Sequence, residues 1–327
     1  MNESTCIGFD MGMGSLKLWS QAGGLELVSQ VATNGRAHLA DGVLGLRSRK
    51  KAMLVAGDFG SFYAGESAHQ HGRPVENLDF NRLTGAPEIR ALLYAALARY
   101  QEEHGPFGGP LTLMVGLPLQ MMTGEAAAEN QKSVKSWLKG THKFRVGSTA
   151  YKIQIEEVKQ TSQPVGALFD YILDDAGQPH PERGKTLLEE VGVISVGFNT
   201  LELLVVKERQ ALDRFTKGNT LGVRRLLELL NYDGLYSLGE LDGKLRAGEL
   251  RAEIKNSLPV WAREVNGEIE QVWGRTHRRF ARVLIVGGGA LLLKDTLTGQ
   301  FSHKAWTPPD PVLSIARGLW KLSIRKK

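Results

Sequence analysis

Cysteine is nearly missing from this chain of 327 residues: Cys6 is the only one. An internal disulfide is excluded, and so is a zinc site built on several thiolates. No run of about 18 apolar residues occurs, so no membrane span is expected. The first residues reach Glu3 and Asp10 without an apolar stretch. No secretory leader is therefore expected, and a cytoplasmic protein is the default. Familiar catalytic signatures are absent as well. The chain has no Gly-x-x-x-x-Gly-Lys-Ser/Thr phosphate loop, no His-Glu-x-x-His and no Ser/His/Asp pattern. The glycines at 287–289 lack the Gly-x-Gly-x-x-Gly spacing of a dinucleotide-binding turn.

What is present is ordinary in bulk. Hydrophobic residues make up 42% and charged residues 23%, the balance of a soluble globular protein. The length suggests about two domains and suffices for a sizeable core without staples. The net charge of +6 and pI near 9.3 permit contact with nucleic acid. Acids and bases nevertheless alternate through most of the chain. The exceptions are Arg47-Ser48-Arg49-Lys50-Lys51, the stretch from Arg275 to Arg282, and the Arg325-Lys326-Lys327 tail.

The first ~35 residues read as successive strands with turns at Gly12-Met13-Gly14 and Gly23-Gly24. Residues 36–75 mix glycine, basic residues and short apolar pieces and read as an irregular insertion. Ile89, Leu92, Leu93, Ala96, Leu97 and Tyr100 recur at helical spacing, which predicts a helix over 89–103. A buried strand is predicted at 111–118, a polar helix to about Leu138, and two strands over 144–158. Pro164 suits the first turn of a helix running to Asp174. Strands resume at Val191. Helices are predicted at 220–231 and 258–279, the second with an apolar stripe of Leu258, Trp261, Val265, Ile269 and Val272. A last strand at 283–286 and a closing helix at 311–322 complete an α/β order.

Three distant segments carry the chemistry. Cys6–Asp10 runs into Met11-Gly12-Met13-Gly14-Ser15-Leu16-Lys17, and Val193–Val196 runs into Gly197-Phe198-Asn199-Thr200 and a second apolar strand. Aligned, they place Asp10 on Ser195, Gly12 on Gly197, Gly14 on Asn199 and Ser15 on Thr200. Glycine and asparagine suit turns that must come close to an anion. Ser15 and Thr200 add hydroxyls and amides, and Lys17 adds a point charge that could reach a phosphate. Either hairpin alone fits an ordinary glycine turn; the internal alignment and the third cluster, Gly287-Gly288-Gly289, favour a phosphate clamp. A carboxylate at Asp10, ending an apolar strand, calls for a cation or donors. It suits Mg²⁺ held through water or the start of a turn. Gln163, at a strand-to-helix junction, could orient a water or simply begin the helix. His277 reads as a solvated residue of a basic face.

Together these segments resemble the actin, sugar-kinase and heat-shock-chaperone ATPase superfamily, and within it the bacterial actin-like proteins of the ParM plasmid-segregation type. The resemblance spans nearly the whole chain and rests on the order and spacing of its motifs. It implies an actin-like fold of two similar ribonuclease-H-like domains around a nucleotide cleft. Domain I would be residues 1–163, with an insertion at about 36–75, completed by 310–327. Domain II would be 164–309, with a helical insertion at about 216–280. It further implies binding of ATP (or GTP) with Mg²⁺ and self-assembly into filaments. A DNA-binding adaptor would link the filament to plasmid DNA. Asp10 would face the metal, Ser15 and Lys17 the phosphates, Gln163 the attacking water, and Gly288 and Gly289 the nucleoside. Lys217, Gly218 and Arg224 are candidates beside the ribose. One position departs from the pattern: Ser195 stands where these proteins usually carry Asp. Glu202 lies past the turn on the returning strand and is not expected to reach the same point. Binding is expected to survive and hydrolysis to be slowed. A small-molecule kinase of the same superfamily and a non-hydrolysing scaffold filament remain the alternatives.

Overall fold

The computed structural model describes residues 4–34 and 52–325. The basic cluster at 47–51 lies outside these, as do part of the segment 36–75 and the last two lysines. The first sheet is built from β1 (Thr5–Met11), β2 (Ser15–Ser20), β3 (Gly23–Val28), β4 (Val31–Asn34), β5 (Met53–Gly57), β6 (Gly60–Ala64), β7 (Gly72–Pro74), β8 (Leu111–Leu117), β9 (Gly140–Val146) and β10 (Thr149–Ser162). Their order is β3-β2-β1-β8-β10-β9-β5-β6-β4-β7. β1, β8 and β10 run parallel at its centre. This is the place for continuous apolar runs, because both faces of a parallel core are covered; every residue of β8 is buried.

The second sheet holds β11 (Val191–Val196), β12 (Leu201–Lys207), β13 (Gln210–Ala211), β14 (Lys217–Asn219), β15 (Arg282–Val286) and β16 (Ala305–Trp306). Its order is β13-β12-β11-β15-β16, with β14 also on β12. It repeats the heart of the first sheet. β1 pairs antiparallel with β2 and parallel with β8, as β11 pairs antiparallel with β12 and parallel with β15.

The helices are α1 (Pro87–His104), α2 (Leu119–Met122), α3 (Ala127–Leu138), α4 (Gln163–Ile172), α5 (Val223–Leu230), α6 (Leu238–Arg246), α7 (Ile254–Trp273), α8 (Gly288–Phe301) and α9 (Ser314–Ile324). Two expectations need correction. Residues 52–75 are not irregular. β5 and β6 form a hairpin that extends the first sheet beyond β9, in short half-buried strands whose alternation is too weak to read. The long helix starts earlier, at Ile254, and tightens after Trp273 into a 3₁₀ turn over Gly274–Arg279.

α4 and α9 join the two sheets. α9 packs on β1, β2 and β8, and α4 packs on β11, β12 and β15, while the two helices pack on each other. Glycine makes this approach possible. A Cβ at Gly318 would stand 1.8 Å from the Gly166 carbonyl oxygen, and one at Gly8 would stand 2.0 Å from the Ala316 carbonyl oxygen. A buried charge cluster fixes the crossing. Asp170 of α4 accepts from Arg317 at 2.7 and 2.6 Å and from Ser314 at 2.7 Å, and lies 3.2 Å from Lys321. Buried charges persist only when matched in this way.

Gly318→Val forces backbone against backbone with no flexible side chain to yield. It should cost at least about 3 kcal/mol, the upper end of overpacking penalties, in a urea unfolding experiment. A loss below about 1 kcal/mol would contradict this account of the α4–α9 crossing.

Candidate functional site

The two hairpins that align in sequence have the same register. Asp10 lies opposite Lys17 across β1 and β2, and Ser195 lies opposite Glu202 across β11 and β12. Their turns meet: a Cβ on Gly14 would stand 2.4 Å from the Phe198 Cβ. Beside this contact is a cavity of about 280 Å³. The first hairpin contributes Asp10, Gly12, Gly14, Ser15 and Lys17 to its wall. The second contributes Ser195, Gly197, Asn199 and Thr200. Gly287, Gly288 and Gln163 line it as well.

Asp10 is buried and fully engaged. Lys17 Nζ lies 3.2 Å from its Oδ2, and Gln163 Nε2 donates to its Oδ1 at 2.6 Å. Gln163 reaches Asp10 because α4 starts directly at the end of β10, with Pro164 in its first turn. The tightness of the first turn explains Gly12: a Cβ there would come within 2.4 Å of the Ser15 carbonyl oxygen and 2.8 Å of Lys17 Nζ. Asn199 is buried with its Oδ1 unpartnered among the described residues. Gly287 adopts a φ of 92°, which lets the chain leave β15 under Val196. A Cβ at Gly288 would meet nothing within 4 Å, so that end of the cavity is open.

Four sequence candidates stand elsewhere. Gly289 is buried against Val196, where a Cβ would meet its side chain at 2.4 Å; it serves helix-on-strand packing. Lys217 is half-exposed and bound to Glu268 at 2.9 Å. Gly218 pairs with Glu202 in β14 and packs against Gln120. Arg224 is bound to Glu228 one helical turn on, at 3.1 Å.

Three charged lining residues escaped the sequence reading: Glu26, Asp242 and Arg246. Arg246 bridges the cleft, 2.7 Å from Glu26 of β3 and 2.8 Å from Asp242 of its own helix. Burial raises the Glu26 pKa, but Arg246, Ser15 and Lys17 outweigh it and the net shift is downward. For Asp242 burial wins and the net shift is upward. The signal that could have exposed α6 is the capping box of Ser237 and Glu240 at its start. Apolar groups (Leu245, Leu291, Leu292, Val312 and Ile315) line the same cavity.

Glu202 stands on β12, opposite Ser195. It is fully buried, and its Oε1 accepts from the Leu119 amide at 2.6 Å, across from the other sheet. Its Oε2 has no partner among the described residues. Burial pushes its pKa up to about 8, opposed by the Leu119 amide and reinforced by the negative charge of Asp10. Among the described residues, no group of three or more His, Cys, Asp or Glu side chains could hold a metal alone. No helix among the described residues is long and apolar enough to cross a membrane.

Residues 8–166 match the family of actin-like proteins, N-terminal domain. Solved structures agree over nearly the whole chain. A ParM described as a non-polymerisable quadruple mutant aligns at TM-score 0.75 and 16% identity, covering 98% of this chain and 99% of that one. A 15-stranded ParM filament from Clostridium botulinum aligns at TM-score 0.74 and 17% identity, with the same coverage of 98% and 99%. An archaeal actin homolog in complex with ADP aligns at TM-score 0.72 and 17% identity, again over 98% and 99%. No curated protein sequence matches the chain. The fold is actin-like.

The buried carboxyl of Glu202 sets a pH dependence. The unfolded chain releases this proton near the ordinary value of 4.5, and the folded chain keeps it to about 8. Between the two, the folded state binds more protons, so its stabilising contribution is complete below the lower value and is lost as pH rises through the upper one. Glu202→Gln should flatten the decline of unfolding free energy between about pH 5 and about pH 8 in urea titrations. An unchanged slope would show that Glu202 is already ionised in the folded protein.

Proposed function

We propose that this chain, actin-like in its N-terminal half by sequence and throughout by fold, binds a nucleoside triphosphate with Mg²⁺ and polymerises. The observation that carries the reading is the pair of registered hairpins facing one cavity, with the Asp10–Lys17 ion pair at its centre. The residues present fit such a ligand. The first turn is too close for a Cβ at Gly12, and the wall is open at Gly288. The buried Asn199 amide lacks a partner at Oδ1, and rotated it offers donors to an anion. The apolar end of the cavity suits a base.

Lys17 and the Ser15 and Thr200 hydroxyls would hold phosphate oxygens, as point charge and donors. Asp10 would face Mg²⁺ through the ion's hydration shell. The ion supplies charge neutralisation on the phosphates. Gln163, released from Asp10, would orient water without acting as a strong base. Ser195 brings no charge at the position that Asp10 occupies in the first hairpin. Hydrolysis is therefore slower than a second acid at that position would allow, by about 10²-fold or more. That same residue favours one second reading, a filament that binds nucleotide and hardly turns it over.

Filament formation is supported by the structural neighbours, one of them a 15-stranded filament. The biological role that fits best is positioning of DNA, in the manner of plasmid segregation, in the cytoplasm. A DNA-binding adaptor would make the link.

Light scattering and pelleting with ATP and Mg²⁺ test assembly directly. Nucleotide should convert the soluble protein into sedimenting polymer. A protein that stays monomeric at high concentration with ATP, and equally with GTP, would overturn the filament reading.

A further inference from the structure

We propose that Glu202 is the second acidic positioning residue for the divalent cation of the nucleotide complex, supplying from β12 the charge that Ser195 lacks on β11. The inference rests on the nucleotide-binding reading above.

It starts from the register. Residues directly opposite across an antiparallel pair share a face of the sheet. In the first hairpin that pair is Asp10 and Lys17, an acid and a base already joined at 3.2 Å. In the second it is Ser195 and Glu202. Ser195 lines the cavity, so Glu202 belongs to the cavity-facing side, one strand further in.

The hydrogen bonds point the same way. The acids that line the cavity are all engaged, Glu26 and Asp242 by Arg246, and Asp10 by Lys17 and Gln163; Glu202 does not line it and lies buried behind the wall. Glu202 has one oxygen on the Leu119 amide and the other without a partner among the described residues, in a fully buried side chain. A buried carboxyl with an open oxygen is costly unless it carries a proton or meets a cation. When phosphate draws Lys17 away, Asp10 loses its counter-charge, and the second hairpin offers Glu202 at the register position that Lys17 holds in the first. A hydrated divalent cation answers both, since Mg²⁺ keeps several waters and needs only one or two carboxylates. Leu119 directly follows Pro118, which lines the cavity from the other half. The Leu119–Glu202 bond therefore gives the cation a contact that spans both halves.

Glu202→Gln keeps the shape and the acceptor for the Leu119 amide and removes the ability to ionise when a cation arrives. Two quantities are measured on the full chain: ATP affinity without metal, and Mn²⁺ affinity of the ATP complex by electron paramagnetic resonance. The expected result is metal-free ATP affinity within about twofold of wild type, and Mn²⁺ affinity lowered at least about tenfold, the loss of roughly one charge contact. Ser195→Asp in the Glu202→Gln background should restore the Mn²⁺ affinity. Unchanged Mn²⁺ affinity in a variant that still binds ATP overturns the role of Glu202 alone. Failure of the wild type to bind ATP overturns the nucleotide reading instead. A wild-type crystal structure with Mg²⁺ and an ATP analogue is an independent readout that needs no variant. It should place the Glu202 carboxylate about 4–5 Å from the ion, one bridging water away. A carboxylate still turned to Leu119 alone, well beyond that distance, contradicts the proposal.

Discussion

The backbone-on-backbone approach of α4, α9 and β1 is the constraint on which the rest depends. Gly8, Gly166 and Gly318 leave no room for a Cβ at their contacts. The buried Asp170 cluster then holds the two helices at that separation. Because α9 rests on the first sheet while α4 packs on the second and also on β8 and β10, this spacing helps decide how far apart the sheets stand. That in turn decides that the tips of β1–β2 and β11–β12 meet over one cavity. α4 also delivers Gln163 to Asp10, so the structural crossing and the chemical site share an element.

Within the cavity the two hairpins are alike in backbone and unlike in charge. The first offers an acid and a base opposite each other; the second offers a hydroxyl and a buried acid. Lys17 and Asp10 satisfy one another, which keeps a buried carboxylate tolerable. The Arg246 bridge to Glu26 closes the same cleft from the far side. The two halves are thereby joined through a few charges at the cavity.

The parts legible in sequence are those written in local pattern. Apolar strands punctuated by glycine mark both hairpins, and their alignment on each other survives as identical register. α1, α3, α4 and α5 follow from apolar spacing and breakers. What escaped is non-local. β5 and β6 are short, half-buried and defined by pairing with β9, and tertiary context overrides weak propensity there. Glu26, Asp242 and Arg246 converge from distant segments, and nothing in the spacing of either reveals the other. Glu202 is legible as an acid on the returning strand, and the pairing of β11 with β12 places it opposite Ser195. Lys217, Gly218 and Arg224 rest on resemblance alone, and each has a partner or packing role outside the cavity. Gly289 adjoins Gly288 in sequence, but close packing on Val196 explains it.

The central claim is that both hairpins hold one nucleotide. Calorimetric titration of ATP with Mg²⁺ into the wild type, Ser15→Ala and Thr200→Ala proteins tests it most directly. The account predicts one saturable site per chain, weakened about tenfold by either substitution, as expected for a lost hydrogen bond to a charged group. A wild type without a saturable site, or a site indifferent to a change in either hairpin, would contradict it.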